Sequence, residues 1–158
     1  MKPFKYALQA VRTLREQQEQ AALQEYGAAL RTANQAADEL ASVRQEQDAV
    51  WEQLQAQFAG PGTAEDLVKL QAYSQTVERR RLHSENLLHL AQQHMEQQFI
   101  RLVAARQAAA VLEKHFQTQQ RHHQHRQRRQ EQKILDELAG RQNLLRGMST
   151  LKRFANSH

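Results

Sequence analysis

The side chains best suited to chemistry in this 158-residue sequence are three clustered histidines, His122, His123 and His125. His122 and His125 lie about one helical turn apart, so two ring nitrogens could meet at a metal ion. A competent zinc site needs three or four converging ligands, whereas arginines surround this cluster and no carboxylate or thiol joins it. We interpret the cluster as a solvated basic face and predict neither a metal site nor a cofactor.

No pattern in the sequence indicates catalysis. The run Gly60-Pro61-Gly62-Thr63 lacks the lysine and the spacing of a phosphate-binding loop, and neither Gly-x-Ser-x-Gly nor His-Glu-x-x-His occurs. The chain has no cysteine, which excludes disulfides, thiolate metal sites and cysteine nucleophiles. We predict a protein that is not an enzyme and has no catalytic residues.

The composition is typical of long helices. Only five glycines and two prolines occur, and aromatic residues make up 6% of the chain, a balance that favours coiled coils over a thick multilayer core. The first residues lack the apolar run of a signal peptide, and nowhere do eighteen apolar residues follow one another. The sequence therefore predicts a soluble, cytoplasmic and mostly helical chain.

One strong helix break, the run at residues 60–63, divides the sequence. On both sides of it apolar residues recur at three- and four-residue steps, as in the seam of a coiled coil. We predict one all-α domain over residues 1–158, an antiparallel coiled-coil hairpin with helix one over about 4–58 and a turn at 59–63. The second, longer helix is predicted over about 64–139, followed after Gly140 by a short basic amphipathic tail over 140–158.

The stripe of helix one, which includes Leu30 and Ala37, slips in phase between Val11 and Leu23 and again near Val43, which weakens the predicted pairing. Equal rise along antiparallel helices pairs residues whose numbers sum to about 121, which places Tyr26 beside Met95. Trp51 and Tyr73 are expected to face each other near the turn and to close that end of the hairpin. The alternative for these two side chains is an exposed aromatic patch that binds a partner.

The formal net charge of +5 is unevenly distributed. Residues 4–58 carry five basic and eight acidic residues, whereas residues 121–158 carry nine basic and three acidic residues. A basic C-terminal quarter suggests an anionic partner, which could be an acidic protein surface, lipid head groups or nucleic acid. Because helix two is predicted to extend past helix one, Ile134, Leu135 and Leu138 have no partner within the chain, which indicates a second protein.

Three segments, taken in order, resemble motifs of the flagellar FliJ family: residues 4–16, residues 75–78, and residues 131–133 with 136–137. The resemblance covers almost the whole chain. It implies a component of the bacterial flagellar type III protein export apparatus, shaped like the rotor stalk of rotary ATPases. In that family the end with both termini inserts into the ring of the export ATPase FliI and promotes its assembly. The turn end contacts the export-gate protein FlhA.

The resemblance also implies which residues make these contacts. ATPase contacts carried over from the family are Phe4, Leu8, Val11, Glu131, Gln132, Lys133, Asp136 and Glu137, to which the unpaired basic segment adds Arg128, Arg129, Ile134 and Leu138. Export-gate contacts carried over are Val43, Val50, Tyr73 and Val77. The chain departs from the family pattern at Glu46 and Val50, where tyrosines are usual, and at Arg80, which replaces a small residue.

The same resemblance implies binding of export chaperones and peripheral association with the cytoplasmic face of the inner membrane through the export apparatus. Two alternatives stay open. One is the equivalent stalk protein of a virulence type III secretion system, and the opening residues 4–16 favour the flagellar version. The other is a basic coiled coil that binds nucleic acid or anionic membrane through residues 121–133 and the tail. We expect no nucleic-acid partner, because aromatic residues are not interleaved with the basic ones and helix one is acidic.

Overall fold

The protein is an all-α hairpin. The structure, a computed structural model, describes residues 3–155, with side chains described as far as residue 149. Helix α1 (Gln9–Ala59) is followed by the longer helix α2 (Ala64–Ala155), and no strand occurs among the described residues. The two helices are antiparallel, because a later residue of α1 contacts an earlier residue of α2: Tyr26 packs against Phe99, and Arg44 pairs with Glu85. The predicted fold class and the greater length of the second helix are confirmed.

The turn between the helices is built by the helix-breaking run. Helix α1 ends at Ala59, because Pro61 cannot donate to a helical carbonyl and restricts the residue before it. The backbone N–H of Gly62 donates to the carbonyl of Gly60 (2.9 Å), which closes the turn. Thr63 caps α2, since its hydroxyl oxygen accepts from the backbone N–H of Asp66 (3.2 Å).

The contacts divide the chain into two compact units, and the larger comprises residues 13–109. Its core is a seam between the helices, centred on a buried cluster of Val43, Val50, Leu54 and Val77. On α1 the seam positions from Tyr26 onward alternate three- and four-residue steps without a break, and all are buried or half-buried; they are Tyr26, Ala29, Ala33, Ala36, Leu40, Val43, Gln47, Val50, Leu54 and Gln57. This is the repeat of a regular coiled coil.

The phase slip expected near Val43 is therefore absent. We expected the slip because the predicted stripe was drawn through Ala37 and the large side chain of Leu30. The structure instead buries Ala29, only 3% exposed, and leaves Leu30 37% exposed. A small residue at a seam position carries little hydrophobic signal in the sequence, although it lets the two backbones approach closely.

The seam of α2 within this unit is equally regular but partly polar. Its positions are Leu67, Leu70, Ser74, Val77, Arg81, Ser84, Leu88, Ala91, Met95, Gln98, Leu102, Ala105 and Ala109. Ser84 and Gln98 are buried, and Arg81 is half-buried. The ring of Tyr26 packs against Phe99, with centroids 5.6 Å apart. Tyr26 was predicted to lie beside Met95, and Phe99 is one helical turn beyond that residue. The packing layers of the seam therefore set the pairing, and counting residues from the turn does not.

The smaller unit combines the described residues up to 12 with those from 110 onward. Residues 3–6 belong to no helix or strand, and α1 begins at Gln9 rather than at about residue 4. Phe4 and Tyr6 are half-buried, whereas Lys5 between them is exposed. That alternation is the two-residue period of extended backbone, so both rings reach the same face of α2.

Helix α2 continues through Gly140 as far as Ala155, so the predicted helix end at about residue 139 and the separate tail are wrong. One glycine in a helix costs only about 1 kcal/mol relative to alanine. The strong helix formers Leu138, Ala139 and Arg141 adjoin it. The side chain of Leu151, part of the predicted amphipathic tail, lies outside the described residues. Within residues 3–155, neither helix contains a stretch apolar enough to cross a bilayer.

Candidate partner-binding surfaces

The extended N-terminal segment is held to α2 by an aromatic cluster. The ring of Phe4 lies 5.7 Å from the ring of Phe116 and 5.3 Å from that of His123. Tyr6 meets Phe116 edge to face at 5.2 Å, and its hydroxyl lies 2.7 Å from Nδ1 of His115. Offset and edge-to-face geometries are the favourable ones for aromatic pairs. The cluster therefore fixes where the first residues of the chain lie on α2.

Arg12, in the first turn of α1, contacts the same face of α2. Its guanidinium lies 2.7 Å from the carboxylate of Glu113 and 4.1 Å from the centroid of the Phe116 ring, a cation–π distance. Leu8 and Val11, both predicted ATPase contacts, are each 39% exposed. Three N-terminal residues were predicted to bind the ATPase. The ring of Phe4 is half-buried against Phe116 and His123, whereas Leu8 and Val11 keep exposed apolar surface.

We call residues 121–149 the basic segment. It carries seven basic residues against three acidic ones, and near its start His123 packs against Phe4 of the N-terminal segment. Every residue from 128 to 149 is exposed. The predicted ATPase contacts from Arg128 to Leu138 all lie here, and within the helix Gln132 donates to Asp136 (3.0 Å). The structure therefore groups these contacts on one free stretch of helix, separate from Leu8 and Val11.

The basic segment also presents unpartnered apolar side chains. Ile134, Leu138, Leu145 and Met148 recur at steps of four, seven and three residues, so they share one face of the helix. More than half of each side chain's surface is exposed. We call this row the apolar stripe. An isolated helix gains nothing from such a row in water, so the row is typical of a surface that a partner covers.

The histidines of this segment have different surroundings. His123 is half-buried against Phe4, whereas His122 and His125 are exposed and line a shallow cleft of about 420 Å³ with Arg121 and Arg128. Within the described part of the chain, no group of three or more histidine or carboxylate side chains is placed to hold a metal ion. The cleft is cationic, and its arginines would repel a metal.

Three of the four predicted export-gate contacts lie in the core. Val43, Val50 and Val77 are 1%, 4% and 0% exposed, so they have no surface with which to touch another protein while the hairpin is closed. The prediction of direct contact is wrong for these three residues. Family motif positions near the turn include seam positions, and the motif alone does not separate the two roles. Tyr73 is 44% exposed and remains available.

Tyr73 belongs to a cluster with Glu46 and Arg80, which lie immediately before seam positions on their helices. The hydroxyl of Tyr73 donates to Glu46, and Arg80 donates to the same carboxylate (2.8 Å). The hydrogen bond from Tyr73, aided by Arg80, lowers the pKa of Glu46, and the bond to Glu46 raises the pKa of Tyr73. Glu46 and Arg80 are two of the three departures from the family pattern, and the structure shows that they pair with each other.

On the opposite flank of the seam, Arg81 occupies a seam position normally apolar. It donates to Glu78 (2.6 Å) and to Glu85 (2.6 Å), and Glu85 also accepts from Arg44 of α1 (3.3 Å). Gln47 of α1 donates to Glu78. The hydrogen bonds from Arg81 lower the pKa of Glu78, and the two carboxylates raise that of Arg81. The seam is therefore interrupted by a network that spans both helices.

Two clefts open on this second flank, on either side of Trp51. The one toward the turn has a volume of about 330 Å³ and is lined by Leu54, Phe58 and Leu67; the other, of about 620 Å³, includes Asp48 and Arg79. We call this surface the aromatic flank. Trp51 is 62% exposed and Phe58 75%. Trp51 does not face Tyr73 as predicted, because the two lie on opposite flanks of the seam, and the alternative of an exposed aromatic patch holds for Trp51.

Sequence reasoning missed His115, Arg12 and Glu113, which anchor the N-terminal segment. The available signal was the seam itself, because Arg12 continues the heptad repeat of α1 backward from Tyr26, and Phe116 and His123 continue that of α2 forward. The charged and aromatic character of these positions concealed the repeat.

Comparison with known proteins gives a family and a fold. A family model described as the flagellar FliJ protein matches residues 4–147. Among solved structures, a candidate YscO homolog, CT670 from Chlamydia trachomatis, superposes with a TM-score of 0.55. That likeness covers 92% of this chain and 99% of the other at 19% sequence identity, so it is a likeness of fold. A comparison with the sequences of curated proteins gives no significant match.

Proposed function

Since this chain belongs to the FliJ family of flagellar proteins, we propose that it is the central stalk of the flagellar type III export apparatus. In this role it inserts into the ring of the export ATPase FliI and promotes the assembly of that ring. The family places the chain among type III export proteins in general. The proposal adds the ATPase partner, the flagellar system and a non-catalytic mode of action.

The observation that carries the proposal is the exposed part of the basic segment. A helix that continues exposed from Arg128 to residue 149 has the dimensions to enter a narrow opening. Cationic side chains such as Arg128 and Arg129 would meet acidic groups of the ring, which speeds encounter and fixes register. The apolar Ile134 and Leu138 would be buried at the partner and supply most of the affinity.

Coupling to the export gate is the second part of the proposal. We assign the contact with FlhA to exposed side chains on the flank of Tyr73, with Glu46 and Arg80 orienting its ring through hydrogen bonds. Val43, Val50 and Val77 would act indirectly by holding the two helices in register. The proposal includes escort of export chaperones and peripheral association with the cytoplasmic face of the inner membrane, both through the export apparatus.

Purified FliI from the same cell provides the test. Adding this protein should increase the fraction of FliI sedimenting as a hexamer and raise its rate of ATP hydrolysis. Unchanged hexamer fraction and rate at saturating protein would contradict the stalk function. Steeply salt-dependent binding to DNA in place of FliI binding would instead indicate the nucleic-acid alternative.

A further inference from the structure

We propose that the last turns of α2, residues 141–155, bind directly to the surface of a lipid bilayer that contains anionic phospholipids. We call these residues the terminal turns. The proposal goes beyond the stalk function, whose ATPase contacts end at Leu138 and require no lipid. The test below contains only this chain and lipid vesicles, so its outcome does not depend on FliI.

The apolar side chains of the terminal turns form a patch that is wider than a coiled-coil seam. Leu144 and Leu145 point about 100° apart around the helix, and Met148 lies between them one turn further on. More than half of each side chain's surface is exposed. A partner helix covers a narrow seam, whereas a fluid lipid surface covers a wide arc. A wide apolar arc on a basic helix is typical of helices that lie in the membrane interface.

The charge of the terminal turns is purely cationic. Glu137 is the last acidic residue of the sequence, so all three acidic residues of the basic segment precede these turns. Residues 141–158 contain four basic residues, which are Arg141, Arg146, Lys152 and Arg153. Each lysine or arginine close to an anionic bilayer strengthens the attraction to its surface. The terminal turns are therefore complementary in charge to anionic head groups and carry an apolar patch that the acyl region would cover.

The position of Arg141 favours a lipid surface over a protein partner. Arg141 lies three residues after Leu138 and four before Leu145, so it interrupts the apolar stripe. A protein that buries this row must supply a carboxylate at that point, because burying an unpaired charge is costly. At a bilayer the aliphatic stem of an arginine lies along apolar surface while its guanidinium reaches the phosphate layer.

Nucleic acid would satisfy less of this surface. Its phosphates would pair with the cations but would leave the patch of Leu144, Leu145 and Met148 in water. Within the part of the chain whose side chains are described, every residue from 128 to 149 is exposed, so the chain itself does not cover the patch. An anionic bilayer is the partner that fits both the charge and the apolar patch.

Vesicle binding of the full chain tests the proposal. The chain would be sedimented with vesicles of phosphatidylcholine alone and with vesicles that also contain phosphatidylglycerol, at low and at high salt. We expect binding to the anionic vesicles that weakens as salt screens the charges, and about tenfold weaker binding to the neutral vesicles.

The chain has no cysteine, so a single introduced cysteine can carry an environment-sensitive fluorophore. Met148→Cys places the fluorophore on the apolar patch, and Asn143→Cys places it about 140° away around the helix. On anionic vesicles the emission from position 148 should shift to shorter wavelength. The emission from position 143 should shift much less, because the polar side of an interfacial helix stays in contact with water.

Two variants each remove one property of the terminal turns. Leu145→Ser/Met148→Ser removes apolar surface, and Arg141→Gln/Arg146→Gln removes two positive charges. Each should weaken binding to anionic vesicles about tenfold. Helicity measured by circular dichroism should stay unchanged, because all four residues are exposed.

Matched controls make the same kinds of change on exposed positions of the larger unit. They are Leu90→Ser/Ile100→Ser and Arg31→Gln/Arg101→Gln. Both should bind anionic vesicles as the wild type does, since the overall loss of apolar surface or charge is the same and only the location differs.

Four results would overturn the inference. One is no binding to anionic vesicles at low salt, and another is equal binding to neutral and anionic vesicles. The third is full binding by the Leu145/Met148 variant with unshifted emission from position 148, which would mean attraction by charge alone. The fourth is complete release from anionic vesicles by DNA or polyglutamate at matched negative charge, which would identify nucleic acid or an acidic protein as the preferred partner.

Discussion

At the scale of single residues, the chain replaces part of an apolar seam by charge. Arg81 stands at a seam position and is satisfied by Glu78 and Glu85, and on the other flank Glu46 accepts from Tyr73 and Arg80. Exposed ion pairs contribute little to stability one by one. A charged residue in a coiled-coil seam more often specifies register, because only one pairing satisfies it.

These carboxylates predict how stability depends on pH. The pKa values of Glu46 and Glu78 are lowered in the folded chain from an ordinary 4.5, because Tyr73 and Arg81 donate to them. A group with a lowered folded-state pKa stabilises the fold above its unfolded pKa, and that contribution is lost as the pH falls through the folded value. Between about pH 7 and pH 5 these two groups should add no pH dependence, and below about pH 4.5 the melting temperature should drop.

The matched variants for this prediction are Glu46→Gln/Glu78→Gln and Asp48→Asn/Glu52→Gln. The first pair should flatten the acid branch of the melting curve, followed by circular dichroism. The second removes carboxylates that form no ion pair among residues 3–149 and should change the acid branch less. Identical acid branches for the wild type and the first variant would contradict the assignment.

At the scale of the elements, heptad packing decides which side chains hold the helices together. Leu102 is 2% exposed at a seam position, whereas Leu30, of the same type and in the predicted stripe, is 37% exposed beside the seam. Leu102→Asp should cost about 3 kcal/mol or more, because it leaves an unpaired charge in a two-helix interface. Leu30→Asp should cost much less. Urea unfolding of both variants measures the difference, and equal midpoints would refute the seam.

The continuity of α2 through Gly140 gives a second prediction at this scale. A Cβ added at Gly140 meets nothing within 4 Å, so Gly140→Ala should stabilise the helix locally by about 1 kcal/mol. Amide exchange around residues 137–143 should slow about fivefold. Gly27→Ala, in the larger unit, should leave these amides unchanged. Amides that are unprotected in both the wild type and Gly140→Ala would show that the helix ends before Gly140.

The hairpin could be predicted from the sequence because its break and its repeat are local signals. Pro61 with two flanking glycines marks the turn, and the seam of α2 includes large apolar residues such as Leu88 and Leu102. The phase of α1 could not be predicted, since Ala29 and Ala36 occupy the seam while larger Leu30 lies outside it. The N-terminal cluster was also missed, because the pairing of Tyr6 with His115 joins residues distant in sequence by side chains that do not signal a core.

Partner surfaces were only partly predictable for a related reason. The basic segment follows from helix lengths and charge, and its residues from 128 to 149 are exposed as expected. For the turn-flanking positions, a family motif does not say whether a residue faces a partner or the other helix. Val43 and Val77 turned out to be core. Trp51 and Phe58, which no family motif marked, are exposed aromatic residues of that region, as is Tyr73.

At the scale of the whole molecule, the regular seam and the exposed part of the basic segment belong to different compact units. The unit of residues 13–109 contains the seam, whereas residues 128–149 of the other unit are exposed and include the apolar stripe. Changing the exposed residues of that segment should therefore alter binding while leaving folding almost untouched, because exposed charges are each worth under about 1 kcal/mol.

The most direct test of the stalk function uses Arg128→Glu/Arg129→Glu in the FliI hydrolysis assay. A matched control, Arg31→Glu/Arg101→Glu, makes the same charge change on exposed positions of the larger unit. Helicity and melting of both variants should match the wild type. The first variant should need about tenfold more protein to stimulate ATP hydrolysis, since several cations facing an acidic ring act together, and the control should stimulate as the wild type does. Full stimulation by the Arg128/Arg129 variant at wild-type concentrations would contradict the stalk function.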